Sequence, residues 1–251
     1  MFRFINKFQS KLHFPVQDIK NYKTLISLLL LLLISIYINL SARIHEKNIW
    51  DENPSVFSVE DVPLVRSGDP AFFISNAKYI KEKIPTNKYY QKLNFPSTFD
   101  GDVKINLLSF LIAKLAKDSS TKEIVKEANN LVFAFSILTT IGVFFLFFVI
   151  GRPFEGIVAS VGAGISSAFL SRSSYGYIDT DILNLFFMYF LFAMIYLSSR
   201  YQSWLKTIIL ITITGILSKI FYLWYWKSEL IFILFLSLVF FTIVNTKNWK
   251  R

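Results

Sequence analysis

Residues 24–42, TLISLLLLLLISIYINLSA, are nineteen consecutive residues without a charge. A helix of that length crosses a hydrocarbon core of about 30 Å, so this chain is constrained first by the membrane. Five further apolar runs follow, at about 128–150, 154–171, 183–199, 206–225 and 229–245. With 53% hydrophobic residues and 18% aromatic ones, the composition is that of a multi-pass membrane protein rather than a soluble domain. Backbone groups in lipid must be satisfied within the segment, so the fold class is all-α. The expectation is about six transmembrane helices.

Charge orients them. Residues 1–23 carry Arg3, Lys7, Lys11, Lys20 and Lys23 against one acid, Asp18, which places this segment in the cytoplasm. The first apolar run is too long for a removable leader and has no small-residue cleavage pattern after it, so it reads as a retained anchor. On this map the inner segments hold eleven basic residues, and the short outer loops hold only Arg172 and Lys227. The chain then divides into a cytoplasmic segment (1–23), a first span (24–42), an outer loop (43–127), a five-helix bundle (128–245) with an acidic outer loop (171–182), and a cytoplasmic tail (246–251). The net charge of +10 follows from this topology and gives no reason to expect nucleic acid.

The loop at 43–127 is polar and holds Pro54, Pro63, Pro70, Pro85 and Pro96. Gly68-Asp69-Pro70 predicts a helix start, because aspartate caps and proline suits the first turn. Phe72, Phe73, Ala77, Ile80 and Ile84 lie on or near one face of that helix. A second helix at about 103–117 sets Leu107, Leu108, Leu111 and Leu115 apart from Lys104, Lys114 and Lys117. It is expected to lie on the membrane surface. In the third span Gly156, Ser160, Gly164 and Ala168 recur every four residues, a pattern that lets helices approach closely in lipid. That helix is expected to be central.

Chemistry concentrates in SRSSYGYIDTDILN, residues 171–184. Asp179 and Asp181 stand two apart between apolar helices, where acids are costly unless paired, hydrated or bound to a cation. The topology puts Asp69 on the same side, so carboxylates of two loops could converge on one divalent ion. The chain has no cysteine and two histidines, so any such ion has oxygen ligands, which favours Mg or Mn. Each residue also has a plainer reading. Asp69 and Asp181 could cap helices, and Arg172 could reach lipid phosphate. Capping needs only one acid of the pair, which leaves Asp179 unexplained. Tyr222, Trp224, Tyr225 and Trp226 crowd the end of the fifth span. They form an interfacial belt or a wall against a polyprenyl diphosphate, with Lys227 as a phosphate contact.

These motifs resemble the catalytic subunit of oligosaccharyltransferase, the asparagine-linked glycosylation enzyme of the GT-C class. GDPAFFISNAKYI (68–80) is similar to that family's first-loop helix start, SRSSYGYIDTD (171–181) to its second-loop arginine, glycine and D-x-D pair, and IFYLWYW (220–226) to its aromatic stretch. The resemblance covers roughly residues 20–245. It implies transfer of a glycan from a polyprenyl diphosphate carrier to protein asparagine at the outer face of a bacterial or archaeal plasma membrane. Asp69, Asp179 and Asp181 would act as metal ligands and catalytic groups, and Arg172 as an orienting group. Tyr225, Trp226 and Lys227 would meet the lipid-linked donor. The partners implied are the bilayer, the lipid-linked glycan and an acceptor polypeptide. The family's later outer-loop glutamate and its Trp-Trp-Asp domain have no counterpart before Arg251. The chain is thus expected to be a fragment, a half completed by a second chain, or an inactive relative. Two other readings stay open: another polyprenyl-linked sugar transferase of the same fold class, which would use an early acidic pair such as Glu60-Asp61, and a non-catalytic membrane protein that keeps a cation or diphosphate site.

Overall fold

The computed structural model describes residues 22–66, 68–84, 106–200 and 204–224, together with Leu236. The expected sixth span apart from Leu236, residues 1–21 of the N-terminal segment, and the tail lie outside them.

Helix α1 runs from Tyr22 to Glu52. At 1.5 Å per residue its 31 residues extend about 46 Å, so the helix continues well past the apolar run. Its lipid-type residues Leu25, Leu29, Leu33 and Tyr37 are exposed, whereas Ser35, Asn39, Arg43 and Trp50 are buried. Polar side chains turned inward mark the contact face of a helix in lipid. A short helix α2 (Pro54–Phe57) leads into a hairpin of β1 (Ser58–Val59) and β2 (Val62–Pro63). The strands pair antiparallel, Ser58 opposite Pro63 and Val59 opposite Val62. Glu60 and Asp61 form the two-residue turn, both at positive φ (49° and 63°), as the right-handed strand twist demands. That acidic pair is therefore a turn and not a helix start. Asp61 lies 3.5 Å from Lys122.

Helix α3 (Gly68–Glu82) starts where Gly68-Asp69-Pro70 predicts, and buries Phe73, Ile74 and Ala77. Helix α4 (Leu107–Leu115) is capped by Asn106, whose side chain accepts from Leu108 N. Its inner face is Leu108, Ile112 and Ala113, whereas Leu115 is exposed. The helix packs on α3 and on α5 (Thr121–Val149). Its Leu108 face is thus built into the core, and Phe110 and Leu115 are left on the open side. At the start of α5, Ser120 accepts from Glu123 N at 3.3 Å, the Ser-x-x-Glu pattern of a capping box.

The third span is not one helix. Helix α6 (Pro153–Ile165) stops at Ser166, and α7 (Ser167–Arg172) restarts from it. Ser166 has ψ of 139° and its hydroxyl accepts from Phe169 N. The break rotates the small-residue stripe. Gly156, Ser160 and Gly164 are buried, but Ala168 is exposed and Phe169 takes the inner position. Among the described residues this segment is not the one with most neighbours. The hub is α5, which meets α1, α3, α4, α6, β2 and α8 (Asp181–Arg200). Helix α9 (Trp204–Trp224) packs on α8 and touches α4. Among the described residues, four helices (α1, α5, α8 and α9) are long and apolar enough to cross a membrane. The molecule is an all-α membrane protein apart from the small hairpin.

The helix ends gather at one pole. The C-terminal part of α1, the first-loop elements, the start of α5, the end of α7, the start of α8 and the end of α9 meet there. The hydrogen bonds described below join them.

Candidate functional site

The segment between α7 and α8 is a tight, mostly buried loop, with Ser173, Ser174, Tyr175, Gly176, Ile178, Asp179 and Thr180 all shielded. Loops lie at the surface because their backbone groups need partners. Here side chains of distant helices supply them. Glu46 of α1 accepts from Tyr175 N at 3.1 Å. Asn129 of α5 accepts from Gly176 N at 2.8 Å. Trp224 of α9 donates its indole N–H to Thr180 O at 2.6 Å. Thr139 of α5 donates to Ile182 O at 3.2 Å, and Arg66 N of the first loop donates to Gly176 O at 3.1 Å. Gly176 has φ of +80°, and a Cβ there would stand 2.8 Å from Trp50 Cη2 and 2.9 Å from Leu64 O. Only glycine fits both that backbone and that space.

Within this frame Arg172, Asp179 and Asp181 come together. Arg172 Nη1 lies 3.3 Å from Asp181 Oδ2. The same guanidinium donates to the Tyr177 hydroxyl and sits over its ring. Tyr177 donates to Asp179 Oδ2 at 3.4 Å, and Asp179 Oδ1 accepts from Thr180 N at 2.6 Å. Asp181 opens α8 and accepts from Asn184 at 3.1 Å. Arg172 and Asp181 are partly open to solvent, while Asp179 is only 9% exposed. Burial raises the Asp179 carboxyl above the ordinary range. The Asp181 carboxylate adds to this, the Thr180 N–H opposes it, and Asp69 adds a smaller repulsion. Burial likewise raises the Tyr177 hydroxyl, with Asp179 contributing, so Tyr177 stays a donor at neutral pH.

Asp69 is exposed in the first turn of α3, near enough to act on Asp179 electrostatically. Among the described residues no three His, Cys, Asp or Glu side chains stand close enough together to hold a metal ion. The expected carboxylates thus share one pole without closing into a ligand set. Tyr225, Trp226 and Lys227 lie outside the described residues.

The profile described as Oligosaccharyl transferase STT3, N-terminal, matches residues 36–248, the greater part of the chain. The chain belongs to the STT3 family. It is also similar in fold to the oligosaccharyltransferase of Archaeoglobus fulgidus. In the apo crystal structure the TM-score is 0.61 at 18% identity, over 78% of this chain and 23% of that one. In the form tethered to an acceptor peptide with the NVT sequon, the TM-score is 0.60 at 16% identity, over 78% and 24%. The chain spans about a quarter of the length of these structures. Comparison with curated proteins gives no match.

Within this STT3-family module neither Tyr177 nor the struts Glu46 and Asn129 are singled out by the sequence, and Trp224 is marked there only as part of an aromatic belt or a wall against the lipid. Tyr177 sits inside the quoted motif, and its position between Arg172 and the acids was the available signal. Trp224 reads as a belt residue by composition. It is 1% exposed, lies edge-on to Phe135 with ring centroids 5.2 Å apart, and receives Asn106 Nδ2 on its carbonyl at 3.3 Å. Glu46 and Asn129 carry no local signal, because their partners lie 129 and 47 residues away.

Proposed function

We propose that this chain is the donor-binding and metal-binding module of an oligosaccharyltransferase, acting on a glycan carried by a polyprenyl diphosphate. The observation that carries this is the Arg172–Tyr177–Asp179–Asp181 constellation, held rigid in a family whose members are oligosaccharyl transferases. On this reading the pole that bears the loop faces outward, as the basic residues of the opposite segments favour.

The donor set fits a hard divalent cation, Mg2+ or Mn2+. All candidate ligands are carboxylate oxygens, and no cationic side chain pairs with Asp179 among the described residues. Asp179 and Asp69 would hold the ion, with Asp181 as a further ligand or an organising group. Water and the diphosphate oxygens of the lipid would fill the remaining ligand positions. A bound cation supplies positive charge to a departing diphosphate. This chain's own residues have separate tasks. Arg172 fixes Asp181 and Tyr177. Tyr177 and Thr180 set the direction of the Asp179 carboxylate. The acids accept hydrogen bonds from the amide of an acceptor asparagine, so that its nitrogen is turned toward the anomeric carbon. The turn position of Glu60-Asp61 speaks against the alternative transferase reading built on that pair.

The test uses the chain in lipid nanodiscs with a fluorescent polyprenyl diphosphate and Mn2+. Wild-type chain is expected to bind the lipid in a Mn2+-dependent way, and Asp179→Asn is expected to lose that dependence. Equal, metal-independent binding by both would sink the proposal.

A further inference from the structure

Arg43 is fully buried at the level where α1 leaves its apolar run, and nothing in the acidic loop's own sequence calls for it. An arginine at such a place is costly unless it is paired and its donors are used. Its Nη1 donates to Asn39 O at 2.9 Å, to the Asn39 side-chain oxygen, and to Gly164 O at 3.3 Å. Its Nη2 donates to the Ser173 hydroxyl. The guanidinium lies 5.1 Å from the Phe169 ring centre, and Glu46 is its electrostatic partner. Asn39 is itself anchored to α5, donating to Thr140 Oγ1 at 2.6 Å and Ser136 O at 3.2 Å.

These contacts have a direction. The helix break at Ser166 takes Gly164 O out of a regular ladder, and Arg43 occupies it. Ser173 caps α7, with its hydroxyl donating to Phe169 O at 2.6 Å and its N–H to Leu170 O at 3.1 Å. The last residue of α7 is Arg172, which holds Tyr177 and Asp181. Asn39, Arg43, Glu46 and Trp50 follow one another at spacings of four, three and four, a single helical stripe. Glu46 and Trp50 meet the same loop at Tyr175 and Gly176. One face of α1 therefore runs along the break and the loop from Gly164 to Gly176.

We infer that Arg43 is a positioning residue for the acidic site: it locks the broken third span to the first and so fixes where Arg172 presents itself to Asp181 and Tyr177. The functional part of this rests on the loop being the site proposed above; the positioning itself does not. Lysine would keep the charge but offers one ammonium in place of a fork, so it is expected to serve only in part.

The chain has no cysteine, which allows clean labelling of exposed positions. Spin labels at Lys126→Cys and Ser171→Cys measure α7 against the hub helix, and labels at Lys126→Cys and Glu60→Cys measure the hairpin against the same helix. Electron-electron distance measurements on the chain in nanodiscs are expected to give one narrow peak for each pair. Arg43→Met is expected to broaden and shift the 126–171 peak and leave the 126–60 peak unchanged, with Arg43→Lys intermediate. Ser173→Ala, a gentler change, is expected to broaden 126–171 alone and keeps the test open if Arg43→Met does not fold. Broadening of both pairs alike, or of neither, overturns the inference. Mn2+ binding measured on the same samples is expected to weaken about 10- to 100-fold in Arg43→Met, the loss typical when an orienting group is removed. Wild-type chain that does not bind Mn2+ refutes the proposed function while the distance result still decides the role of Arg43. Unaltered Mn2+ affinity beside a broadened 126–171 peak overturns the link from Arg43 to the site.

Discussion

Gly176→Ala should be among the most damaging single-methyl changes in this chain. The backbone there has φ of +80°, a conformation that costs an L-residue about 1–2 kcal/mol. The added Cβ would stand 2.8 Å from Trp50 Cη2 and 2.9 Å from Leu64 O. The carbonyl is backbone and cannot swing aside. Trp50 cannot either: it is stacked on Phe57 at 4.7 Å, edge-on to Tyr175 at 5.2 Å, and covered by the Arg66 guanidinium at 5.3 Å. Forcing a methyl into such a site costs about 1–3 kcal/mol. Together the two effects give about 2–5 kcal/mol, which for a chain of this size lowers Tm by roughly 4–20 °C. The assay is thermal unfolding in nanodiscs followed by circular dichroism. Gly215→Ala and Gly162→Ala are the controls, since a Cβ at either meets nothing within 4 Å. Both lie in helices and should be neutral or slightly stabilising. A Gly176→Ala curve that falls no further than the controls would refute the view that Trp50 and the hairpin clamp the acidic loop.

Trp224→Phe leaves Thr180 O without its 2.6 Å donor and is expected to cost about 1–3 kcal/mol; an unchanged Tm would return Trp224 to the role of a belt residue. Asp179 binds its proton more tightly when folded, because burial and the neighbouring acids raise its pKa. In buffer with chelator the folded chain should therefore lose stability as pH rises from the ordinary carboxylate range through the raised Asp179 value. Asp179→Asn should lack that loss and melt no lower than wild type above it, and a large drop in Tm would contradict this sign. Gly164→Ala brings a Cβ to 2.7 Å from Asn39 Nδ2 and should cost about 1–3 kcal/mol. Much of that cost should disappear in the double variant with Asn39→Ala, as a double-mutant cycle would read.

What the sequence made legible was local. The nineteen-residue apolar run, the Gly68-Asp69-Pro70 start and the acidic pair are each written in a few adjacent residues, and the structure places α1, α3 and the loop accordingly. The break at Ser166 was not legible. Hydropathy stays high through 154–171, and one serine with extended ψ interrupts the helix without changing the apolar pattern. The hub role of α5 was hidden for a related reason. Its inward stripe of Ser136, Thr139, Thr140 and Gly142 is less regular than the glycine pattern of α6, which is the more conspicuous of the two in the sequence. That Leu108 and Ile112 of α4 pack inward was not legible either, because α3, which takes that face, is far away in sequence. Of the site, Arg172, Asp179 and Asp181 could be read directly. Arg43, Glu46, Asn129 and Trp224 could not, because each acts through tertiary contact with a backbone atom or a hydroxyl group in or beside the loop.

The charge arrangement explains why the loop needs so many struts, and it predicts an order of binding. Arg172 is the one cationic side chain in the loop, and it is committed to Asp181 and Tyr177. Asp179 is left with Tyr177 and Thr180 as neutral donors, while Asp181 and Asp69 repel it. A loose loop would relieve this by turning Asp179 into water. Bonds from Glu46, Asn129, Arg66 and Trp224 prevent that relief, so the fold holds in place a negative site that Arg172 balances only in part. Such a site attracts a cation and repels a free diphosphate. On the proposed reading a polyprenyl diphosphate should therefore bind weakly in chelator and tightly once Mn2+ is present. Asp179→Asn should lose the second effect and relax the first, giving a slight gain in metal-free binding. Titrating the fluorescent lipid into wild-type and variant nanodiscs, with and without Mn2+, reads all four cases. Tight metal-free binding to wild type would mean that cationic groups outside the loop, and not a bound ion, balance the three carboxylates.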